Sequence, residues 1–166
     1  MQSKIKEAFE NKNFVLVKNA INIKSFGLDF DFNSMYDLFN VYPNFEFTHK
    51  GSLFINQIGN VVNNATNIFF NAYLTHLKNI FKNIFPCKFG KLDFFYSIKG
   101  ERGNAHIDDE HVIILGVYKN TYYHIKGEDI KISPGDILFI HKGILHHAFS
   151  STERIVLSLS IWENND

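Results

Sequence analysis

Two stretches of the chain carry side chains that could do metal chemistry. The first is Gly103-Asn104-Ala105-His106-Ile107-Asp108-Asp109-Glu110-His111. The second runs from Ser133 to His147 and holds Pro134-Gly135-Asp136, Gly143 and the adjacent pair His146-His147. A His-x-Asp on one strand and one His on a later strand supply the two imidazoles and one carboxylate of a facial iron site, which leaves positions open for other ligands. Residues i and i+2 of a strand point to the same side, so His106 and Asp108 are expected to share a face. Gly143 permits a tight turn that brings the chain back at His146, beside that strand if the domain is a barrel. A His-x-Asp is common on surface strands, so the second stretch is what gives the first its weight. His147 follows His146 and points to the opposite face, outside the cavity.

The elements that must position these groups are readable from periodicity. Lys4 to Glu10 has helical character, and Phe14-Val15-Leu16-Val17 is a short apolar run typical of a strand. Asp31 to Asn40 places Met35, Leu38 and Phe39 at helical spacing, with Asn33 or Ser34 as the cap and Pro43 as the stop. Leu53-Phe54-Ile55 predicts another strand. Ile68, Phe69, Tyr73, Leu77, Ile80, Phe81 and Ile84 recur at three- and four-residue steps and predict one long helix over 67–85, beginning as early as Val61 and ended by Pro86. Its aromatic stripe reads as core.

From Lys91 the period changes to two. Leu92–Ile98, His111–Val117, Tyr122–Ile125, Asp129–Ile132, Ile137–Ile140, His147–Phe149 and Ile155–Trp162 are expected strands. Turn signals at Lys99-Gly100, Lys119-Asn120, Lys126-Gly127 and Pro134-Gly135 separate them. Short strands at such spacing indicate an antiparallel sandwich or barrel. Helices come first and a β-barrel follows.

The 166 residues suit one domain with a substantial core. Lys plus Arg and Asp plus Glu both number 17, so no global field recruits nucleic acid or an anionic membrane. Cys87 is the only cysteine, which excludes an intrachain disulfide and a Cys-rich zinc site. The N-terminus lacks an apolar core of signal-peptide length, and no run approaches the roughly 20 apolar residues of a membrane span. The expectation is a cytoplasmic, single-domain protein. His141, His111 and His124 read as packed or surface histidines, and Tyr122, Tyr123 and Trp162 as core or rim aromatics.

The segment from Gly135 to Ser150 resembles the second cupin motif. Gly135, Gly143 and His146 stand at its spacing, with His141 where the motif has Pro and Ser150 where it has Asn. Gly100, five residues and His106-x-Asp108 resemble the start of the first motif, with HxD in place of HxH. Together with the run HIDDEHVIIL, that change resembles the JmjC-like and ribosomal-oxygenase branch of the Fe(II)/2-oxoglutarate oxygenases. The early segment FVLVKNAI resembles the strand that opens such domains. The resemblance covers residues 90–162 well and the first 90 loosely.

It implies a double-stranded β-helix (cupin or jelly-roll) barrel, mainly β with N-terminal helices. One domain over 1–166 would comprise a helical and mixed buttress, 1–90, and a β-helix core, 91–163, that carries the metal site. It further implies Fe(II) held by His106, Asp108 and His146, with 2-oxoglutarate as cosubstrate and O2 as oxidant. The expected reaction is hydroxylation of a C–H bond in a small molecule or a peptide or protein side chain. The distal carboxylate of 2-oxoglutarate needs a cation. JmjC-like members place it about 15 residues after the first His, where this chain has Thr121. Lys119 lies two residues earlier, on the same face if the strand is regular. Arg154 resembles instead the Arg on the last strand of prolyl-hydroxylase-like relatives, and Tyr96 is a candidate hydroxyl partner. Two alternatives stand beside this reading: a metal-dependent cupin enzyme that uses no 2-oxoglutarate, such as a dioxygenase or isomerase, and a non-catalytic ligand-binding cupin. The Phe-rich helices offer a face for a homodimer.

Overall fold

The computed structural model describes residues 1–26, 46–47, 52–55, 75–77, 79–81, 83–97 and 102–164. Its elements run α1 (Gln2–Glu10), β1 (Phe14–Val17), a 3-10 turn (Ile23–Phe26), β2 (Glu46–Phe47), β3 (Ser52–Ile55), β4 (Cys87–Ser97), β5 (His111–Tyr118), β6 (Thr121–Ile125), β7 (Glu128–Ile132), β8 (Ile137–Ile140), β9 (His146–Phe149) and β10 (Arg154–Glu163). Residues 75–77 and 79–81 are helical, within the helix expected over 67–85; residues 83–85 form a turn, so the helix ends before Phe85, and the rest of the expected span lies outside the described residues. The helix expected at Asp31–Asn40 lies outside the described residues.

The strands form two antiparallel sheets, a larger one ordered β1-β8-β5-β10-β4-β3-β2 and a smaller one ordered β7-β6-β9. From β4 onward the chain alternates between them. β4 lies in the large sheet, and residues 102–106 bridge to the edge of the small one at β9. β5 returns to the large sheet, β6 and β7 form a hairpin in the small one, and β8, β9 and β10 alternate again. This winding is a double-stranded β-helix.

In the large sheet β5, β8 and β10 are buried on both faces, and the alternation of their residues says with what. Ile113, Leu115 and Val117 of β5, Ile137 and Phe139 of β8, and Ile155, Leu157, Leu159 and Ile161 of β10 join Ile5, Ala8, Leu77, Ile80 and Phe81 in one apolar cluster. The opposite faces of these strands contribute Val112, Ile114, Leu138, Ile140 and Val156 to a second cluster between the sheets, with Tyr123, Ile125 and Ile132 of the small sheet. β5 and β8 are therefore apolar almost throughout. β10 instead presents Arg154, Val156, Ser158 and Ser160 to the cavity between the sheets.

Expected strand positions agree with the observed ones to within a residue or two, apart from the N-terminal end of β4. That strand begins at Cys87, directly after Pro86, and runs five residues longer at that end than the expected start at Leu92. Two further features tie the N-terminal segment to the barrel. β1 adds to the large sheet by pairing Phe14–Val17 with Ile140–Ile137 of β8. Gly135, at φ 88°, receives the Ile21 N–H on its carbonyl at 3.0 Å, and a Cβ there would lie 2.6 Å from the Ile21 carbonyl oxygen. Glycine is what lets the two chains approach.

Asp136 secures the same junction. It is 1% exposed, and its carboxylate accepts from the Asn19 N–H at 2.9 Å, the Ser133 N–H at 2.8 Å and the Lys18 ammonium at 2.8 Å. Burial alone would raise its pKa, but the Lys18 ammonium and the two backbone donors outweigh that and hold it below the ordinary carboxylate value. A folded-state pKa below the unfolded one stabilises the protein above about pH 4 and ceases to do so as pH falls through the folded value. Asp136→Asn replaces one acceptor by a donor that faces an ammonium, and is expected to cost about 2–3 kcal/mol at pH 7. Urea unfolding of both proteins should show that difference at pH 7 and a smaller one at pH 3.

Candidate metal centre

Residues 102–106 run antiparallel to β9 with bridges at Arg102–Phe149 and His106–His146. Four steps along the first segment match three along β9, so the segment carries one extra residue and is bulged. This corrects the expectation that His106 and Asp108 sit on one regular strand. Only His106 is bridged, and Asp108 lies beyond the bridge in irregular chain. What brings the groups together is backbone pairing. The His106 N–H donates to the His146 carbonyl and the His146 N–H to the His106 carbonyl, both at 3.0 Å. The Gly143 N–H donates to the Asp108 carbonyl at 3.0 Å and draws the third residue in. Gly143, at φ 82°, makes the turn that allows this.

The side chains converge accordingly. His106 Nε2 lies 3.6 Å from one Asp108 carboxylate oxygen and His146 Nε2 lies 3.4 Å from the other. Ligands each about 2.1 Å from one ion can be at most about 4.2 Å apart, so these separations fit a shared cation. The tautomers fit as well. His106 Nδ1 lies 3.0 Å from the Asn104 carbonyl and His146 Nδ1 lies 2.9 Å from the Ile144 carbonyl. A carbonyl only accepts, so both Nδ1 atoms carry the proton and both Nε2 lone pairs face the carboxylate. Burial lowers the pKa of His146, which keeps that imidazole neutral as a ligand must be. Among the described residues, His106, Asp108 and His146 are the one group whose donor atoms could hold a metal ion together. They suit a divalent metal that accepts nitrogen and oxygen donors, and Fe(II) is one.

The three line a cavity of about 470 Å3 between the sheets. Its walls include Phe95 and Ser97 from β4, Val112 and Ile114 from β5, Tyr123 from β6, and Arg154, Val156, Ser158 and Ser160 from β10. The candidate cosubstrate residues separate clearly. Arg154 is buried in the cavity wall, and its guanidinium donates to the hydroxyl of buried Thr121. Lys119 does not reach the cavity. β5 ends at Tyr118, and Lys119 sits in the following turn at φ 52°, exposed and ion-paired to Glu153, so strand parity with Thr121 is broken. Tyr96 falls between Phe95 and Ser97 on β4 and therefore faces away, packed against the helix-side cluster.

Tyr123 was read as a core or rim aromatic, and it is a cavity residue. It is 6% exposed; burial foremost, with the Asp108 carboxylate adding and Arg154 opposing, pushes its pKa up to about 12. It lines the cavity together with the triad and Arg154, its ring centroid 6.1 Å from that of His146, and it remains a phenol that can donate. Its parity with Thr121 on β6 was the available signal. Among the described residues the other histidines do not line the cavity. His147 stacks on His124 on the outer face of the small sheet, with ring centroids 5.3 Å apart. His111 is fully buried between Phe9, Phe85 and Phe139, its Nδ1 accepting from the Lys142 N–H. His141 packs against it. Ser150, in the Asn position of the motif, closes the β9–β10 turn by donating to the Thr152 carbonyl at 2.8 Å and accepting from its N–H.

No protein-family model matches the sequence, and no curated protein matches it. Solved structures do match in three dimensions. The non-heme alpha-ketoglutarate-dependent epimerase SnoN from nogalamycin biosynthesis aligns over 98% of this chain and 82% of its own, with a TM-score of 0.73 at 9% identity. YcfD, a ribosomal oxygenase from Escherichia coli, aligns over 96% of this chain and 51% of its own, with a TM-score of 0.66 at 15% identity. The chain thus spans about half the length of YcfD. The fold is a cupin-type barrel. At these identities the likeness establishes the architecture, and the chemistry rests on the site.

Mn(II) binding tests the centre directly. His106→Ala and His146→Ala are each expected to abolish saturable Mn(II) binding, while His147→Ala, one residue away but on the outer face, keeps it within about twofold. Calorimetry or the paramagnetic resonance of bound Mn(II) reads the difference.

Proposed function

We propose that the protein is an Fe(II)- and 2-oxoglutarate-dependent oxygenase that hydroxylates a C–H bond of a small molecule or of a peptide or protein side chain. One observation carries the reading: the His106–Asp108–His146 donor set and the buried Arg154 guanidinium line the same cavity. When bound, Fe(II) supplies O2 activation, with 2-oxoglutarate as the co-reductant that leaves as succinate and CO2 while one oxygen atom enters the C–H bond. SnoN and YcfD, described as an alpha-ketoglutarate-dependent epimerase and a ribosomal oxygenase, support the reading by sharing the scaffold.

The chain's own residues have definable roles. Two neutral imidazoles and one carboxylate offset one of the two charges on the metal, so an anionic cosubstrate is favoured beside it. Arg154 offers a fixed fork of N–H donors to the distal carboxylate, a geometry suited to paired hydrogen bonds. The Thr121 hydroxyl orients that fork, and the Tyr123 phenol, in the wall of the same cavity, offers a further hydrogen bond to a bound carboxylate. Phe95, Val112, Ile114 and Val156 give the remaining wall an apolar surface that excludes water from the reacting groups.

The decisive measurements are Mn(II)-dependent 2-oxoglutarate binding and, with Fe(II) and ascorbate in air, succinate formation. Wild-type protein is expected to do both. Arg154→Ala should weaken 2-oxoglutarate binding by about 30-fold or more, about 2 kcal/mol, because it removes a buried charge partner. Lys119→Ala should leave it unchanged. Wild-type protein that binds Mn(II) but shows no metal-dependent 2-oxoglutarate binding would overturn the proposal. Tyr123→Phe removes one hydrogen bond of about 1 kcal/mol and should raise the 2-oxoglutarate KM about fivefold while kcat stays within about twofold.

A further inference from the structure

We propose that a basic groove at the metal-bearing end of the barrel binds the phosphate group of a small phosphorylated molecule. That this molecule is the substrate rests on the oxygenase reading; that it binds does not. Three turns converge there: the α1–β1 turn with Lys12, the β6–β7 turn with Lys126 and Gly127, and the β8–β9 turn from His141 to Leu145. They enclose about 610 Å3. Lys12, Lys126, Lys142, His124, His141 and His147 line this groove, and no Asp or Glu does among the described residues. In a chain with 17 basic and 17 acidic residues, excluding histidine, that segregation creates a local positive field.

Two of these side chains have acidic partners outside the groove wall. Lys142 Nζ lies 3.0 Å from Glu163, and His124 Nδ1 lies 2.6 Å from Asp129. Lys12 and Lys126 form no ion pair among the described residues, and Lys126 Nζ is steadied by the Asn13 side-chain carbonyl at 2.9 Å. Two lysines without counter-ions match the two charges of a phosphate monoester better than the single charge of a carboxylate.

The backbone supplies an independent observation. Lys12 follows the end of α1 at φ 50°, and Lys126 opens a two-residue hairpin turn at φ 51°, with Gly127 at φ 85°. Both are left-handed positions at which Gly or Asn relieves strain. Lysine occupies each of them, at a cost in backbone strain. Lys119 has the same backbone, but its ammonium is taken by Glu153 outside the groove. Ile144 and the 57%-exposed Leu145 give the groove an apolar wall for a carbon skeleton. Ala105 and His146 also line it, so a molecule held by its phosphate extends beside the triad. A concave site of this volume suits a small molecule rather than a nucleic-acid strand, which needs an extended basic track with stacking platforms.

The test uses metal-free full-length protein at low ionic strength, titrated by calorimetry with phenyl phosphate, benzoate and a single-stranded oligonucleotide. Phenyl phosphate is expected to bind saturably and more tightly than either other probe. The double variant Lys12→Asn/Lys126→Asn, which suits the left-handed backbone at least as well as lysine, should weaken it about tenfold, about 1.4 kcal/mol, without loss of thermal stability. Lys6→Ala, which lies on α1 paired to Glu10, should leave it unchanged. Absent saturation, equal binding by the double variant, or preference for benzoate or the oligonucleotide would each overturn the groove assignment. Phenyl phosphate binding without 2-oxoglutarate binding would instead retain the groove and remove the oxygenase reading.

Discussion

The reciprocal pair of backbone hydrogen bonds between His106 and His146 is the constraint on which the site depends. An antiparallel hydrogen-bonded pair sets two Cα atoms about 5.5 Å apart with side chains on one face of the sheet. It therefore delivers two imidazoles to one place without help from tertiary packing. Each ring is then oriented by a carbonyl two residues earlier in its own chain, Asn104 for His106 and Ile144 for His146. Those carbonyls set the tautomer as well as the angle. Asp108 is brought by a second backbone contact, the Gly143 N–H on its carbonyl, and that contact comes from the turn leading into His146. All three donors thus depend on one short stretch of β9 and its preceding turn.

Burial is distributed to support this arrangement. In the large sheet β5, β8 and β10 are covered on both faces, by helix-side residues such as Ile5, Leu77 and Phe81 on one and by the inter-sheet cluster on the other. The small sheet has one face in the cavity, and on the other Tyr122 stacks on Phe149 and His124 on His147. Rigidity comes from the large sheet, and it supplies Arg154 on β10. The small sheet and its bulged edge supply the metal donors. Bulges beside functional sites commonly re-aim side chains, and here the extra residue between Arg102 and His106 does so.

Much of this was legible in the sequence, for identifiable reasons. The C-terminal strands announced themselves through period-two alternation and Gly or Asn turns, and His146 was separable from His147 by its distance from Gly143. The structure brings the three expected donors together, although the parity argument that grouped His106 with Asp108 does not apply, because Asp108 lies beyond the His106 bridge in irregular chain. The cosubstrate side was less legible. Lys119 looked cavity-facing only if β5 and β6 formed one regular strand, and a left-handed residue at the turn resets that parity. That Tyr96 faces away from Arg154 was not readable from sequence, since the register of β4 against β10, which pairs Ser97 with Arg154, is a tertiary fact. Tyr123 went unrecognised because aromatic residues in strands are far more often core than site.

The register of β9 also explains why two adjacent histidines have such different surroundings. Side chains alternate along a strand, so a slip of one residue would send His147 inward and His146 out. Three features oppose that slip. The His106 bridge is made only in the observed register. β6 pairs Ile125 with His146 and His124 with His147, which seats an apolar residue and a donor on the cavity face and stacks two imidazoles on the other. The left-handed Gly143 and its bond to Asp108 fix where the turn ends. Shifting β9 would break the reciprocal bridge, separate the Asp108 contact and leave His106 facing Nε2 of no partner. The strand that carries one ligand is therefore held in place by contacts to the other two.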